Sequence, residues 1–345
     1  MDSILYFYRD PLFDIIILFS IIATIALLDY SRNKYRTHKK QQSLQALAQS
    51  YEHTTLNEDM SHFITLYPKA TPFLINLAQT YAQSGDNEMA IKIFLSLLES
   101  NKNTKTKIVI LESLGKTYLN AGFMQKSKDI FTQILKTYPR NATAMKLLIK
   151  SYENMGEYQK ALEALECLDE IDSQTQDFYT NNQQYFYLLI LLNAHNIPLY
   201  KKIQNATIIG KNNPLFDKII LRYLKNYDLK AFWNYVFCLD SVTNIIDILW
   251  EISQENLHDE IINYPQIFEI FVAKGYFESK KECSIFELEI LRTMHTYSTK
   301  KIHLAFEYRC HHCKAIFPFD SPRCPQCEEL TQLDLILKPL QKIEL

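Results

Sequence analysis

Four of the chain's seven cysteines, Cys310, Cys313, Cys324 and Cys327, stand within residues 308–330 as two Cys-x-x-Cys pairs separated by ten residues. A two-residue gap lets both sulfurs of one tight turn face a single ion, and two such turns complete a tetrahedral site of four thiolates. That donor set suits zinc, with iron in a rubredoxin-type site as the alternative, since all-sulfur tetrahedra accommodate both. His311 and His312 lie inside the first pair, but four thiolates already close the sphere, so both are expected outside it. A closed sphere leaves no position for substrate or water, which argues for a structural ion and against hydrolysis. Cys167, Cys238 and Cys283 lie apart in helical stretches and read as buried apolar residues.

The elements that must hold these turns are short. Ile302, Leu304, Phe306 and Tyr308 alternate along one face before the first pair, and Leu333, Leu335 and Leu337 do so after the second. Two strands flanking two thiol turns describe a zinc ribbon or rubredoxin-like knuckle. Residues 301–345 are too few to bury a core unaided, so the metal is expected to supply much of the folding free energy. The same residues hold six Lys plus Arg and six Asp plus Glu, which removes the electrostatic basis for nucleic-acid binding. A protein-binding surface is the remaining use, with Phe317, Pro318 and Phe319 at the loop tip as candidates and one of the two phenylalanines packed inward.

Upstream, the chain repeats itself with a period near 34 residues. The windows 71–104, 108–141 and 142–175 align Leu74, Leu111 and Met145, then Tyr81, Tyr118 and Tyr152, then Gly85, Gly122 and Gly156, then Ala90, Ser127 and Ala161. A small or apolar residue with Tyr three places on marks one helix face; Gly breaks the chain; Ala or Ser lets a second helix approach closely. This resembles the tetratricopeptide repeat, a stacked pair of antiparallel helices. A weaker copy precedes it around Leu47, Ala48, Tyr51 and Tyr67-Pro68, and residues 176–300 read as degenerate copies that keep Tyr223 and Ala231, with a separate α-helical domain as the competing account. Such arrays hold peptides or proteins. The polar positions of each first helix, Asn76, Gln79, Lys116, Lys146 and Lys150, are the candidates for a groove. Composition agrees: 47% apolar and 22% charged residues with a net charge of −2 show no basic excess, and only 6 glycines favour a mostly helical chain.

At the other end, residues 12–28 form an apolar run with a single charge, Asp14. Tyr6, Phe7 and Tyr8 precede it and Tyr30 follows it, as aromatic anchors do at membrane interfaces. Arg32, Lys34, Arg36, Lys39 and Lys40 lie just after the run and only Arg9 before it. Basic residues stay inside, so a retained single-pass anchor is expected with the bulk of the chain cytoplasmic, where the thiols stay reduced.

One span, a tetratricopeptide array and a C-terminal four-cysteine knuckle together resemble the lipopolysaccharide assembly protein B family of bacterial inner membranes. The resemblance implies an adaptor and no enzyme. Its partners would be the deacetylase of the lipid A pathway and a membrane-bound AAA+ protease to which that client is presented, so limiting lipopolysaccharide output. It also implies Cys310, Cys313, Cys324 and Cys327 as ligands of a knuckle docked on the repeats. Two departures stand out. Lys314 follows Cys313 where the family usually has Gly, and Arg323 precedes Cys324, with Glu328-Glu329 after Cys327, where an aromatic is common. The expected architecture is thus all-α: an anchor over 1–30, a superhelical repeat array over 31–300 (clear at 71–175, degenerate at 176–300) and a rubredoxin-like module over 301–345. A generic membrane-tethered scaffold and a rubredoxin-type electron carrier are the competing readings.

Overall fold

The computed structural model describes residues 67, 70–101, 103–171, 176–297 and 302–341. The expected anchor at 12–28 and the weak repeat copy around Leu47 lie outside the described residues. Among the described residues no helix is long and apolar enough to cross a membrane. The chain divides into two compact units, Met1–Ile171 and Asp172–Leu345.

Among the described residues of the first unit six helices form three hairpins: α1 (Thr71–Gln83) with α2 (Asn87–Ser100), α3 (Thr104–Asn120) with α4 (Met124–Thr137), and α5 (Ala142–Asn154) with α6 (Tyr158–Ile171). The three expected glycines turn them. Gly85, Gly122 and Gly156 have φ of 90°, 84° and 74°, a region L-residues avoid. At Gly122 the turn is closed by the Phe123 amide donating to the Tyr118 carbonyl at 2.8 Å and by the Gly122 amide donating to the Leu119 carbonyl at 3.2 Å. This is the paired bond of a left-handed helix stop. Side-chain acceptors start the next helices: Asp86 takes the Met89 amide, Asn103 that of Lys105 and Asn141 that of Ala144.

Packing follows the small residues. Ala78, Ala90, Ser127 and Ala161 are fully buried, beside Leu74, Phe94, Leu97, Leu114 and Phe131. A Cβ on Gly115 would meet the Phe131 ring at 2.7 Å, so α3 and α4 approach as closely as they do only because that side chain is missing. Ser127 ties three helices together. Its Oγ donates to the Gly115 carbonyl at 2.9 Å and lies 3.2 Å from Ser151 Oγ on α5.

The second unit is also mostly helical, but its hairpins are irregular. It contains α7 (Gln176–Asn193), α8 (Leu199–Asn212), α9 (Asp217–Tyr227), α10 (Leu229–Val236), α11 (Ile246–Trp250), α12 (Pro265–Ala273) and α13 (Phe286–Tyr297), with 3-10 turns between several of them. Where a repeat would have Gly, the α9–α10 turn has Asp228, extended, whose carboxylate accepts the Ala231 amide at 3.0 Å. Ala231 is only half-buried, unlike its counterparts in the first unit. The glycine turn and the fully buried small residue of the first unit are thus both missing at this hairpin.

The chain ends in an antiparallel sheet of order β2-β1-β3, with β1 Ile302–Arg309, β2 Ile316–Phe317 and β3 Asp334–Gln341. Leu304 opposes Pro339, Phe306 opposes Leu337 and Tyr308 opposes Leu335, as the alternation predicts. Pro339 is tolerated because β3 is an edge strand. The short β2, pairing Phe317 with Tyr308, was not anticipated; two residues carry no readable period.

Candidate metal centre

The two Cys-x-x-Cys pairs fold as near copies of one turn. Cys310 N–H donates to the Ala315 carbonyl and Cys324 N–H to the Glu329 carbonyl, both at 2.9 Å. Lys314 N–H returns to the Cys310 carbonyl at 3.1 Å, and Glu328 N–H to that of Cys324 at 2.9 Å. Closing the turn in this way forces the residue after each pair into left-handed backbone: φ is 61° at Lys314 and 63° at Glu328. At Lys314, where the resembled family has Gly, this chain accepts a strained Lys. Backbone amides also point at sulfur, His312 N to Cys310 Sγ at 3.4 Å and Cys327 N to Cys324 Sγ at 3.5 Å.

The four sulfurs all lie within 4.8 Å of one another. Cys310 and Cys327 are 3.7 Å apart and Cys313 and Cys324 3.5 Å. A tetrahedral ion with bonds of about 2.3 Å to sulfur has edges of about 3.8 Å, close to the two shortest separations here, so the four sulfurs are grouped at the scale such an ion needs. Cys310 and Cys324 are buried, Cys313 and Cys327 half-buried, with Tyr308, Phe317 and Leu333 packed around them.

The electrostatics of the bare thiols are frustrated. Burial opposes ionisation of Cys310, but the Cys313 and His312 amides outweigh it and bring the thiol down to about 7. Cys327 is pushed up to about 12, first by burial and then by the crowding sulfurs of Cys324, Cys310 and Cys313. Cys324 is raised too, again chiefly by burial. A divalent cation would stabilise all four sulfurs as thiolates and expel the remaining protons.

His311 and His312 are exposed and stand outside the sulfur cluster; His311 Nε2 reaches Asp334 at 2.8 Å instead. Phe317 packs inward while Phe319 stays 53% exposed. Of the groove candidates, Asn76, Lys116 and Lys146 are exposed and Lys150 is half-buried. Gln79 is engaged between repeats, its Nε2 donating to Ser113 Oγ at 3.1 Å. The expectation for the isolated cysteines is overturned. Cys167 and Cys238 are exposed and Cys283 is half-buried. Cys167 falls on the outer face of α6, opposite Leu165 and Leu168. Cys283 sits in an irregular stretch, its amide bonded to Glu289 at 2.8 Å and its thiol raised to about 11 by burial and by Glu289.

A buried charge cluster, which the sequence reading missed, fixes the sheet to the helices of this unit. Tyr308 on β1 donates to Asp247 on α11 at 3.0 Å. Lys218 on α9 lies 3.4 Å from Asp247 and 3.7 Å from Asp320, with its ammonium 5.0 Å above the Tyr308 ring. Arg222, one turn on, reaches Asp320 at 2.8 Å and Asp247 at 3.7 Å. Two cations thus balance two carboxylates. Burial is the main reason that Asp247 is raised above the usual carboxylate range, and the Lys218 charge works against it. A second tie runs from Arg323, beside Cys324. Its guanidinium bonds the Asn182 side chain on α7, lies 5.4 Å from the Tyr185 ring centroid, and donates to the Glu328 carbonyl at 3.4 Å. The one sequence signal was the spacing of Lys218 and Arg222, which places both on one helix face.

Residues 74–107 match the family model of the tetratricopeptide repeat. Lipopolysaccharide assembly protein B of Escherichia coli strain K12 is 26% identical over 103 residues, 30% of this chain and 26% of that protein, and its counterpart in Escherichia coli O157:H7 matches equally. The protein CTR9 homolog of Arabidopsis thaliana is 29% identical over 106 residues, 30% of this chain and 10% of that protein. The chain therefore spans about a quarter of the length of the bacterial relatives it matches. With three glycine-turned hairpins and a four-sulfur cluster in view, the described chain is mostly helical and tetratricopeptide-like, and it is similar to lipopolysaccharide assembly protein B over part of its length.

Proposed function

We propose that this chain is a non-enzymatic adaptor whose helical repeats hold a protein partner. In this reading Cys310, Cys313, Cys324 and Cys327 bind one structural zinc ion that fixes the C-terminal module (301–345) onto the helices. The observation that carries it is the four-sulfur cluster, with all sulfurs within 4.8 Å. Four thiolates fill a tetrahedral sphere and leave no open position for catalysis. Helical hairpins, for their part, offer extended surfaces suited to peptides.

The more specific reading is an inner-membrane adaptor of the lipopolysaccharide pathway. It is anchored by residues 12–28, faces the cytoplasm, and presents the lipid A deacetylase to a membrane-bound AAA+ protease. The resemblance to lipopolysaccharide assembly protein B supports it. The plant match, of similar identity and length, favours a second reading. Similarity at that level follows the repeat, so a membrane-tethered scaffold for another assembly has the same support from the helices.

Three experiments decide. Depleting the protein and following the half-life of the deacetylase tests the pathway: slower turnover is expected, and unchanged turnover leaves only the general scaffold. Co-purification from cells with the full-length chain as bait tests the scaffold itself. Metal analysis tests the site, with colourless protein holding one zinc expected and a red iron protein pointing to an electron carrier.

A further inference from the structure

A cavity of about 600 Å³ opens in the second unit between α8, α9, α10 and the segment 239–245. Its size falls within the range of about 300–1,000 Å³ typical of ligand sites. Asp217 lines it from the first turn of α9. Among the described residues this carboxylate accepts from the Tyr235 hydroxyl at 2.6 Å and pairs with no cation. Burial raises it above the ordinary carboxylate range. The contrast with Asp247 is direct, since that buried carboxylate has two cations in reach.

The arrangement is also built. Tyr235 reaches Asp217 because Gly210 has no side chain: a Cβ there would lie 1.9 Å from the Tyr235 hydroxyl. The cavity wall also carries Asn234 and Asn244, neither of them bonded to another described side chain, and Asp240. Among the described residues Lys211 is the one basic residue on the wall. Acceptors therefore outnumber cations, and two carboxamides can each accept from and donate to a peptide backbone.

We propose that this cavity receives an arginine side chain from an extended segment of a partner protein. A guanidinium offers five N–H donors in a plane, enough to engage Asp217 and carboxamide oxygens together, where an ammonium would act as a point charge. The assignment rests on the scaffold reading above and specifies what the partner must display. Binding supplies the cation that Asp217 lacks.

Cys238, exposed on the same wall, reports occupancy. Full-length, zinc-loaded protein is treated with iodoacetamide, and alkylation of Cys238 is followed by peptide mass spectrometry. The probes are Ac-Ala-Arg-Ala-NH2 and its citrulline counterpart, which keeps the shape and loses the charge. Slower alkylation is expected with the arginine peptide, and at least about tenfold weaker protection with citrulline or in Asp217→Asn. Asn234→Ala, on the rim, should weaken protection severalfold without touching the buried hydrogen bond, which keeps the test open if Asp217→Asn folds poorly. Equal protection by both peptides overturns the cation assignment, and protection by neither overturns the site. Failure of the scaffold reading is seen separately, as the absence of any partner in the co-purification.

Discussion

A half-buried carboxylate with no cation lowers the stability of its host, and Asp217 is such a group. Its folded pKa is raised above the ordinary 3.8, chiefly by burial, so the native state holds more protons than the unfolded state between 3.8 and the folded value. Stability is therefore lost as pH rises through that window. Asp217→Asn lacks this term. It should melt higher than the parent near neutral pH, with the difference closing below about pH 4; a lower melting temperature at neutral pH would mean the charge is compensated. A second residue-scale test concerns Lys314, held at φ 61°. Lys314→Gly removes a left-handed strain of about 1 kcal/mol and should raise the chelator concentration at which metal is lost. The thiol pairs were legible because metal-ligand spacing is local, two residues within each turn. Asp217 was not, because nothing in its neighbours along the chain says that Tyr235 reaches it across Gly210.

Glycine turns and thiol turns set the behaviour of the elements. At Gly122 a Cβ would meet nothing within 4 Å, so the demand there is for the dihedral and not for space. Gly122→Val should cost at least about 1–2 kcal/mol, and Gly122→Asn less, since Asn tolerates left-handed backbone. Equal melting temperatures for the two variants would refute this. At Gly115 the reason is reversed, because the Phe131 ring occupies the space a side chain would need. In the sheet, Cys324→Ser should release the metal and open β1 and β3 to amide exchange while far-UV helix content stays nearly intact. Loss of helix signal would mean that helices as well as strands depend on the ion. The hairpins of the first unit were readable from sequence because each repeats the same solution within about 34 residues. The helices of the second unit were harder to read, since the α9–α10 turn is made by Asp228 as a side-chain cap and not by a glycine.

At the scale of the whole chain, metal binding and docking should be linked. Lys218 and Arg222 on α9, Asp247 on α11, and Tyr308 and Asp320 from the C-terminal module form one charge-balanced cluster, buried except at Arg222. Lys218→Met leaves two buried carboxylates to Arg222 alone, a loss of about 3–5 kcal/mol for breaking such a network. Because the module is too small to fold without help, part of that loss should appear as weaker zinc retention in a chelator titration. Unchanged retention would show that the knuckle closes on its ion independently of the helices. The sequence by itself determined the donor set, the helical repeat and the alternation of the strands, because each is a pattern of residue types over a short, fixed interval. Only the tertiary structure decided which charges are paired and which carboxylate is left without a cation. It also decided that Cys167 and Cys238 face outward. Those outcomes depend on distances between residues 18 to 141 positions apart, from Asp217–Tyr235 to Asn182–Arg323, and chain composition does not encode such distances.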